Sequence, residues 1–417
     1  MSSAPLHEPA GPPDHETDRV LRTVGLGTAS LTGPLIGAIA AQAPTADATR
    51  TVDPQVIDQI KSSGALGLVA STEIGGGGGS IRQMAAELAA VAGACASTAW
   101  CVWNHWSVFH LFVGALGPEH RDLLRQVVTN REWACFGAGA GSRVFGRIDG
   151  DEVVLDGRAT FASSSRYADW TGVAFAVGDG SRPPTPDELR FSILRLDSPG
   201  VSIEPTWDGA SLRASSTDTV HYQGVRVPLG RCTTWYGANR AVMYRDRSLA
   251  VIHDRYREDW VGLSDLWLGA MAVGLSQAAL VEACEDIEGR KAIMGATMAN
   301  FVTVQVNLGN AAALVATARA AIEQVCDEVD RRIGCGQLPT EADFQRQCAV
   351  SATAVGLCQQ AMGAVLQSLG GNGLREGGRF ERRWRDLAAM PVHINAHPDR
   401  IHTRVGQYLL GLEASRF

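Results

Sequence analysis

Two long stretches of this chain carry apolar residues at helical spacing, from Val20 to about Asn130 and from about Tyr236 almost to the end. Between them, from about Glu132 to Pro228, lie short apolar runs bounded by Gly, Pro and Asp. The N-terminal stretch has clear punctuation. Asp53-Pro54 opens a helix, with Asp53 as N-cap and Pro54 in the first turn, and Gly64 and Gly67 close it. Gly75 to Gly79 form a loop, and Ser80 caps a helix from Ile81 to about Cys95. In the middle stretch, Ile148-Asp149-Gly150-Asp151 predicts a hairpin turn. Strands are predicted at Thr171–Val177, Arg190–Leu196, Val201–Pro205 and Thr219–Val227, with a surface loop over 178–187. The last stretch predicts three long, Ala-rich helices: Leu263–Glu288, Ala296–Val329 and Glu341–Leu369. Helices of that length bury more than one face, which predicts a bundle packed on another subunit.

The domain plan that follows is α+β: a mobile polar tail at 1–18, a helical domain at 19–130, a β domain at 131–235 and a helical bundle at 236–417. At 417 residues the chain is long enough for two or three packed layers. Charged residues are 19% and the net charge is -7, with no Lys/Arg block, which argues against nucleic acid as a partner. The nine cysteines are scattered without a CxxC pair and read as free thiols in a reducing compartment. No basic N-terminal region precedes an apolar core, and no run of 18 apolar residues is present. The expectation is a cytoplasmic protein without signal peptide or membrane span. The glycine loop at 75–79 lacks a GK[ST] ending and reads as a plain turn rather than a phosphate cradle.

Three segments carry a resemblance. They are Phe161-Ala162-Ser163-Ser164-Ser165-Arg166-Tyr167-Ala168-Asp169-Trp170, Ser211-Leu212-Arg213-Ala214-Ser215-Ser216-Thr217 followed by Val225-Arg226-Val227-Pro228, and Gln367-Ser368-Leu369-Gly370-Gly371-Asn372-Gly373 followed by Arg385-Asp386. In this order and register they resemble the acyl-CoA dehydrogenase superfamily, and the likeness runs from about residue 28 to 415. The resemblance implies that superfamily's fold: an N-terminal helical domain, a middle β-barrel-like domain and a C-terminal four-helix bundle. It also implies a flavin site. Phe161 and Ser163 would touch the flavin ring, and Ser142, Arg213 and Ser215 would line it. Gln367, Gly370 and Gly371 would meet the pyrophosphate, with Arg290 reaching the phosphates across a subunit boundary.

Two departures redirect the function. The dehydrogenases' Thr-Glu-Pro-Glu-Ala-Gly-Ser segment stands here as Phe136-Gly137-Ala138-Gly139-Ala140-Gly141-Ser142, without the Thr-Glu pair. Eight residues after Arg385-Asp386, where that family often carries its catalytic glutamate, stands Ile394, preceded by His393. The chain thus resembles the oxygenase components of two-component flavin-dependent monooxygenases. That implies reduced FMN or FAD supplied by a separate NAD(P)H:flavin reductase, reaction with O₂ through a C4a-hydroperoxyflavin, and hydroxylation of a small aromatic, polycyclic or amine substrate in a homotetramer.

The residues suit that chemistry and also have plainer readings. His393 is a candidate acid, base or peroxide-stabilising group, its unperturbed value lying near neutrality. His105 would orient the substrate or act as base for a phenol; it reads equally as a core histidine, as does His110. Trp100, Trp103, Trp106 and Phe136 would form a dry, substrate-facing wall, although the three tryptophans at i, i+3, i+6 also make a core stripe. Ser163 would hold the flavin N5 edge or simply sit in a polar turn, and Arg213 would bind flavin or brace a loop. His393, His397 and His402 carry no matching carboxylates and Pro398 interrupts their spacing, so no metal is expected. Two rival functions remain open: an FAD-dependent dehydrogenase with its base elsewhere, and a catalytically silent assembly subunit.

Overall fold

The computed structural model describes Leu26 and residues 29–178, 180–235 and 246–412. The tail expected at 1–18 lies outside these residues, as does the start of the third segment at 236–245. Five helices come first: α1 (Ile36–Thr49), α2 (Pro54–Ser63), α3 (Ile81–Ala94), α4 (Ala96–Leu116) and α5 (Arg121–Thr129). Their ends follow the sequence signals. Asp53 accepts from Gln55 N at 2.8 Å, Gly64 closes α2 with φ 84°, and Ser80 accepts from Gln83 N to open α3. Every residue of α4 except Gly114 and Ala115 is buried. A helix apolar on all sides is a core helix, and its polar residues Asn104, His105, Ser107 and His110 are buried with it.

Eight strands follow: β1 (Ala134–Phe136), β2 (Arg143–Asp149), β3 (Glu152–Ala162), β4 (Trp170–Val177), β5 (Leu189–Arg195), β6 (Val201–Glu204), β7 (Asp218–Pro228) and β8 (Thr233–Thr234). They form one sheet in the order β6-β7-β3-β2-β4-β5-β8, with β1 beside β4. Asp149 pairs with Glu152, so β2 and β3 are joined by Gly150-Asp151, and Gly150 takes the positive φ (67°) that such a turn needs. The β3–β7 pairing brings Ala162 opposite Asp218. The serine-rich segments that follow β3 and precede β7 are therefore neighbours.

The last segment holds α6 (Trp260–Glu288), α7 (Val302–Gly334), α8 (Glu341–Leu369), α9 (Arg379–Ala388) and α10 (Pro398–Leu409). Asp259 caps α6, which starts three residues before the expected Leu263. The expected start of α7 at Ala296 moves to Val302, because Ala296 (ψ 140°), Thr297 (ψ 124°) and Phe301 (ψ 124°) are extended and only a single 3-10 turn, Met298–Asn300, lies between them. The helices α6, α7 and α8 pack together, α10 closes against α8, and α3 packs on α6 from the other side. A Cβ on Gly274 would lie 2.0 Å from Ala89 O, so α3 and α6 cross at backbone contact. In the bundle Arg332 bridges Glu258 (2.6 Å) and Asp343 (2.9 Å). Two helices, Trp260–Glu288 and Glu341–Leu374, are long and apolar enough to cross a membrane. The apolar window of the first is 72% buried inside the protein and that of the second 50%, so much of their apolarity serves the core.

Candidate flavin and oxygen site

Trp100 joins the two halves of the site. Its indole N–H donates to Ser163 Oγ at 3.0 Å, and its ring meets the His393 imidazole edge-on at 5.1 Å. Trp103, one turn along α4, packs on Trp100 at 4.6 Å and on His393 at 5.2 Å. Its own N–H is held by Ser264 O of α6. The imidazole therefore sits edge-on to two indoles on a rigid helix.

Ser163 belongs to a turn shaped by two left-handed residues, Phe161 (φ 59°) and Ser164 (φ 62°). Such values in non-glycine residues persist only where neighbours fix them. Here Ser164 N donates to Ser215 O and Ser165 N to Ser216 O, zipping the turn to the segment before β7. Across that zip Ser163 Oγ meets Thr217 Oγ1 at 3.0 Å, and Thr217 Oγ1 meets Ser215 Oγ at 2.7 Å. The Trp100 N–H and three hydroxyls share three contacts, so one proton is left over. With Ser215 donating to Thr217 and Thr217 to Ser163 the leftover proton is Ser163's, and with the chain reversed it is Ser215's.

His393 is half-buried in the turn after α9. Its Nδ1 accepts from Asn395 N at 3.2 Å, and Asn395 is tied to Asp265 of α6 at 2.7 Å. Burial, with a smaller push from Arg400, pulls its pKa down to about 4. The near-neutral value expected of an unperturbed imidazole does not hold in this setting. At pH 7 the ring is neutral, and the Nδ1 acceptor assigns the proton to Nε2. No protein acceptor for that Nε2–H occurs among the described residues. Among the described residues, none of the hydrogen bonds or ring contacts of Trp100, Trp103, Ser163 and His393 involves a carboxylate.

The other candidates fall into groups. Phe161 is 53% exposed beside Ser163, and its ring lies over Gly139, where a Cβ would come within 2.3 Å of it. Ser142 accepts from Thr160 N at 3.0 Å, on the same rim. Arg290 donates to Leu369 O at 3.2 Å, which brings it to the end of α8 with Gln367, Gly370 and Gly371. That end is open: Gln367 and both glycines are exposed, and a Cβ on either glycine would meet nothing within 4 Å. Arg213 lies against Asp47 (3.6 Å) and Ala210 O (3.3 Å) and braces a loop.

Three candidates stand apart from this centre. Both ring nitrogens of His105 are taken by backbone, Nε2 by Leu66 O and Nδ1 by Ala134 N, and burial lowers its pKa to about 4. It staples α4 to β1 and has no nitrogen left for a substrate. Trp106 donates to Ala65 O and packs on Trp267 in the core. Phe136 joins Phe191 and Trp235 in a separate aromatic cluster. His110 is held by Glu258 O. Among the described residues no group of three or more His, Cys, Asp or Glu could hold a metal ion. Thr217 was not singled out in advance, although it lies two residues after Ser215, the spacing that shares a face as a strand begins.

The centre suits a planar, hydrogen-bonding heteroaromatic ring. One hydroxyl proton and one imidazole N–H are unspent at the centre, an exposed aromatic stands at the rim, and glycines with an arginine lie at the bundle end. Comparison with known proteins agrees. The model of the acyl-CoA dehydrogenase N-terminal domain matches residues 37–121, and that of the C-terminal domain matches 266–398, together just over half of the chain. The chain is 26% identical to the oxygenase component of an FADH(2)-dependent resorcinol hydroxylase from Rhizobium, over 87% of this chain and 89% of that one. It is 25% identical to a probable acyl-CoA dehydrogenase of Bacillus subtilis, over 85% and 89%. The structure of XiaF from Streptomyces in complex with FADH2 and glycerol superposes with a TM-score of 0.83, at 18% identity, over 96% of this chain and 98% of that one. The chain belongs to the acyl-CoA dehydrogenase superfamily of flavin-using oxidoreductases, where it is similar to the oxygenase components of two-component flavin-dependent monooxygenases.

Proposed function

We propose that this protein uses reduced FMN or FAD, delivered by a separate reductase, and O₂ to hydroxylate a small aromatic substrate. The observation that carries the reading is the centre itself: the His393 imidazole and the Ser163 hydroxyl both meet Trp100, and among the described residues no carboxylate bonds to any of the three. Bound reduced flavin supplies the electrons and the carbon that reacts with oxygen. The chain supplies the setting. Ser163 donates a hydrogen bond to the ring's nitrogen edge. His393 Nε2–H donates to an oxygen atom at the reacting face, and at a pKa of about 4 it acts as a neutral donor rather than a cation. Trp100 and Trp103 keep that face dry, which disfavours proton leakage and loss of the oxygen as peroxide. They also offer an aromatic substrate a wall. Arg290, Gln367, Gly370 and Gly371, at the end of the bundle, would hold the phosphates of a flavin reached across a subunit boundary.

We further propose a homotetramer. Ile293 (89% exposed), Met294 (99%), Val302, Val306, Leu409 and Leu410 leave apolar side chains on the outside of the bundle, which a partner subunit would cover. The nine cysteines, all free, support a cytoplasmic setting.

The test starts without air. Reduced FMN and reduced FAD are titrated into the protein, air is then admitted, and hydrogen peroxide release is followed with and without resorcinol as probe substrate. The reading expects tight binding of a reduced flavin and peroxide release slower than from free flavin. Failure to bind either reduced flavin sinks it. So does a tightly held oxidised FAD that an acyl thioester bleaches in the absence of air.

A further inference from the structure

The residues that set the site reach it from two directions. His393 follows α9, and Ser215 and Thr217 follow the loop 210–213. Three hydrogen bonds of the Arg385-Asp386 dipeptide join these two approaches. Leu212 N donates to Asp386 Oδ1 at 2.7 Å, across 174 residues of sequence, and both residues are buried. Ser211 Oγ donates to Arg385 O at 2.6 Å, so both residues of the dipeptide grip the loop. Arg385 in turn donates to Ala210 O and pairs with Asp47 of α1 at 2.9 Å and with Glu381 at 2.8 Å. Arg213 faces Asp47 from the loop side. All three segments of the chain meet at this point.

The loop needs holding. Leu212 has φ 50° and Ser216 φ 48°, left-handed conformations that cost a non-glycine residue roughly 1–3 kcal/mol each unless the surroundings impose them. Leu212 is 2% exposed, so water cannot take over its N–H. A carboxylate aimed at that N–H is the strong, directional partner that keeps the turn. Immediately beyond it come Ser215 and Thr217, whose hydroxyls meet each other and end on Ser163.

We propose that Asp386 is a positioning residue: by holding the Leu212 N–H it locks the turn that carries Ser215 and Thr217 to the helix that leads to His393, and so fixes the two halves of the site relative to each other. The role rests on the flavin reading for its consequence but not for its geometry. Burial pushes the Asp386 carboxyl up to about 7, opposed by the Leu212 N–H and by Arg385 and Arg382 and reinforced by Asp47.

The experiment compares Asp386→Ala, Asp386→Asn and Ser211→Ala in the full chain. Amide exchange is read first, without flavin. At about pH 8, above the Asp386 value of about 7, Asp386→Ala is expected to speed exchange across 211–217 by roughly 10- to 100-fold, the loss of one hydrogen bond to a charged acceptor, with peptides of α7 and α8 unchanged. Asp386→Asn keeps the acceptor oxygen and is expected to stay within about 3-fold of wild type. Ser211→Ala, the gentler change, is expected to show the same local pattern at smaller size. Peroxide release from bound reduced flavin is read second, and is expected to rise with Asp386→Ala and to be rescued by Asp386→Asn. Unchanged exchange at 211–217, or a rise spread evenly over the chain, overturns the proposal. Local opening without any change in peroxide release also overturns it. If the wild type binds no reduced flavin, the functional reading fails, and the exchange data alone decide whether Asp386 locks the turn.

Discussion

The neutral state of His393 can be read from how stability depends on pH. His105, His110 and His393 have folded pKa values of about 4, 3 and 4, lowered from 6.5 chiefly by burial. Between pH 6.5 and 4 the unfolded chain binds a proton at each, and the folded protein does not. Their contribution is therefore full above pH 6.5 and is lost as the pH falls toward 4. Asp386 works in the opposite sense. Its folded value of about 7 lies above the ordinary carboxylate value, so the folded protein holds a proton that the unfolded chain has released, and stability falls as the pH rises through that window. Between about pH 5 and pH 6 each of these groups exchanges close to one proton on unfolding. His393→Gln should then lower the slope of unfolding free energy against pH by about 1.4 kcal/mol per pH unit. Asp386→Asn should steepen it by a similar amount. For His393 the whole window is worth about 3 kcal/mol. The assay is urea unfolding followed by tryptophan fluorescence at several pH values, read as variant minus wild type so that groups common to both cancel. A His393→Gln slope equal to wild type would mean that the imidazole titrates normally in the folded protein, and the neutral-donor argument would fall.

Three further expectations follow from the packing. A cycle of Trp100→Phe, Ser163→Ala and the double variant should show a coupling of about 1 kcal/mol in unfolding free energy, because each single change strands the other partner; zero coupling would remove the bond that links the two halves of the site. Gly139→Ala should leave the fold intact and weaken reduced-flavin binding by roughly 5- to 10-fold, since its Cβ displaces the Phe161 ring; unchanged affinity in a fluorescence titration would take Phe161 out of the site. Gly274→Ala should fail to accumulate as folded protein on expression, because its Cβ meets the Ala89 carbonyl and neither backbone can yield; a normal yield with unchanged melting would contradict the close crossing of α3 and α6.

Local chemistry made much of the fold legible in the sequence. Asp53, Ser80 and Gly150 act where their backbone demands them, and the strands end at their Gly, Pro and Asp boundaries to within a residue or so. The start of α7 was less legible, because the apolar spacing runs on through Ala296 to Phe301, where Ala296, Thr297 and Phe301 take extended backbone before the helix begins. The site was legible in its members more than in their arrangement. Three tryptophans at i, i+3, i+6 look like one stripe, but at about 100° per residue Trp106 has turned roughly 120° away from Trp100. That rotation sends Trp106 to Ala65 and Trp267 while Trp100 and Trp103 meet His393. The backbone partners of His105 at Leu66 and Ala134 depend on tertiary packing, and so does the grip of Asp386 on Leu212; no local pattern announces either. The segment 161–170 was recognisable, yet the hydroxyl chain through Thr217 arises only because β3 pairs with β7.

The central claim is that the His393 Nε2–H, beside Trp100 and Ser163, retains oxygen at a bound reduced flavin. The direct measurement mixes wild type and His393→Ala, each saturated anaerobically with the same reduced flavin, with aerated buffer, and records the rate of hydrogen peroxide release. Wild type is expected to release peroxide more slowly than free reduced flavin, and His393→Ala to release it roughly 2- to 10-fold faster than wild type at unchanged flavin affinity, as the loss of one hydrogen bond requires. Equal rates in the two proteins would contradict the claim.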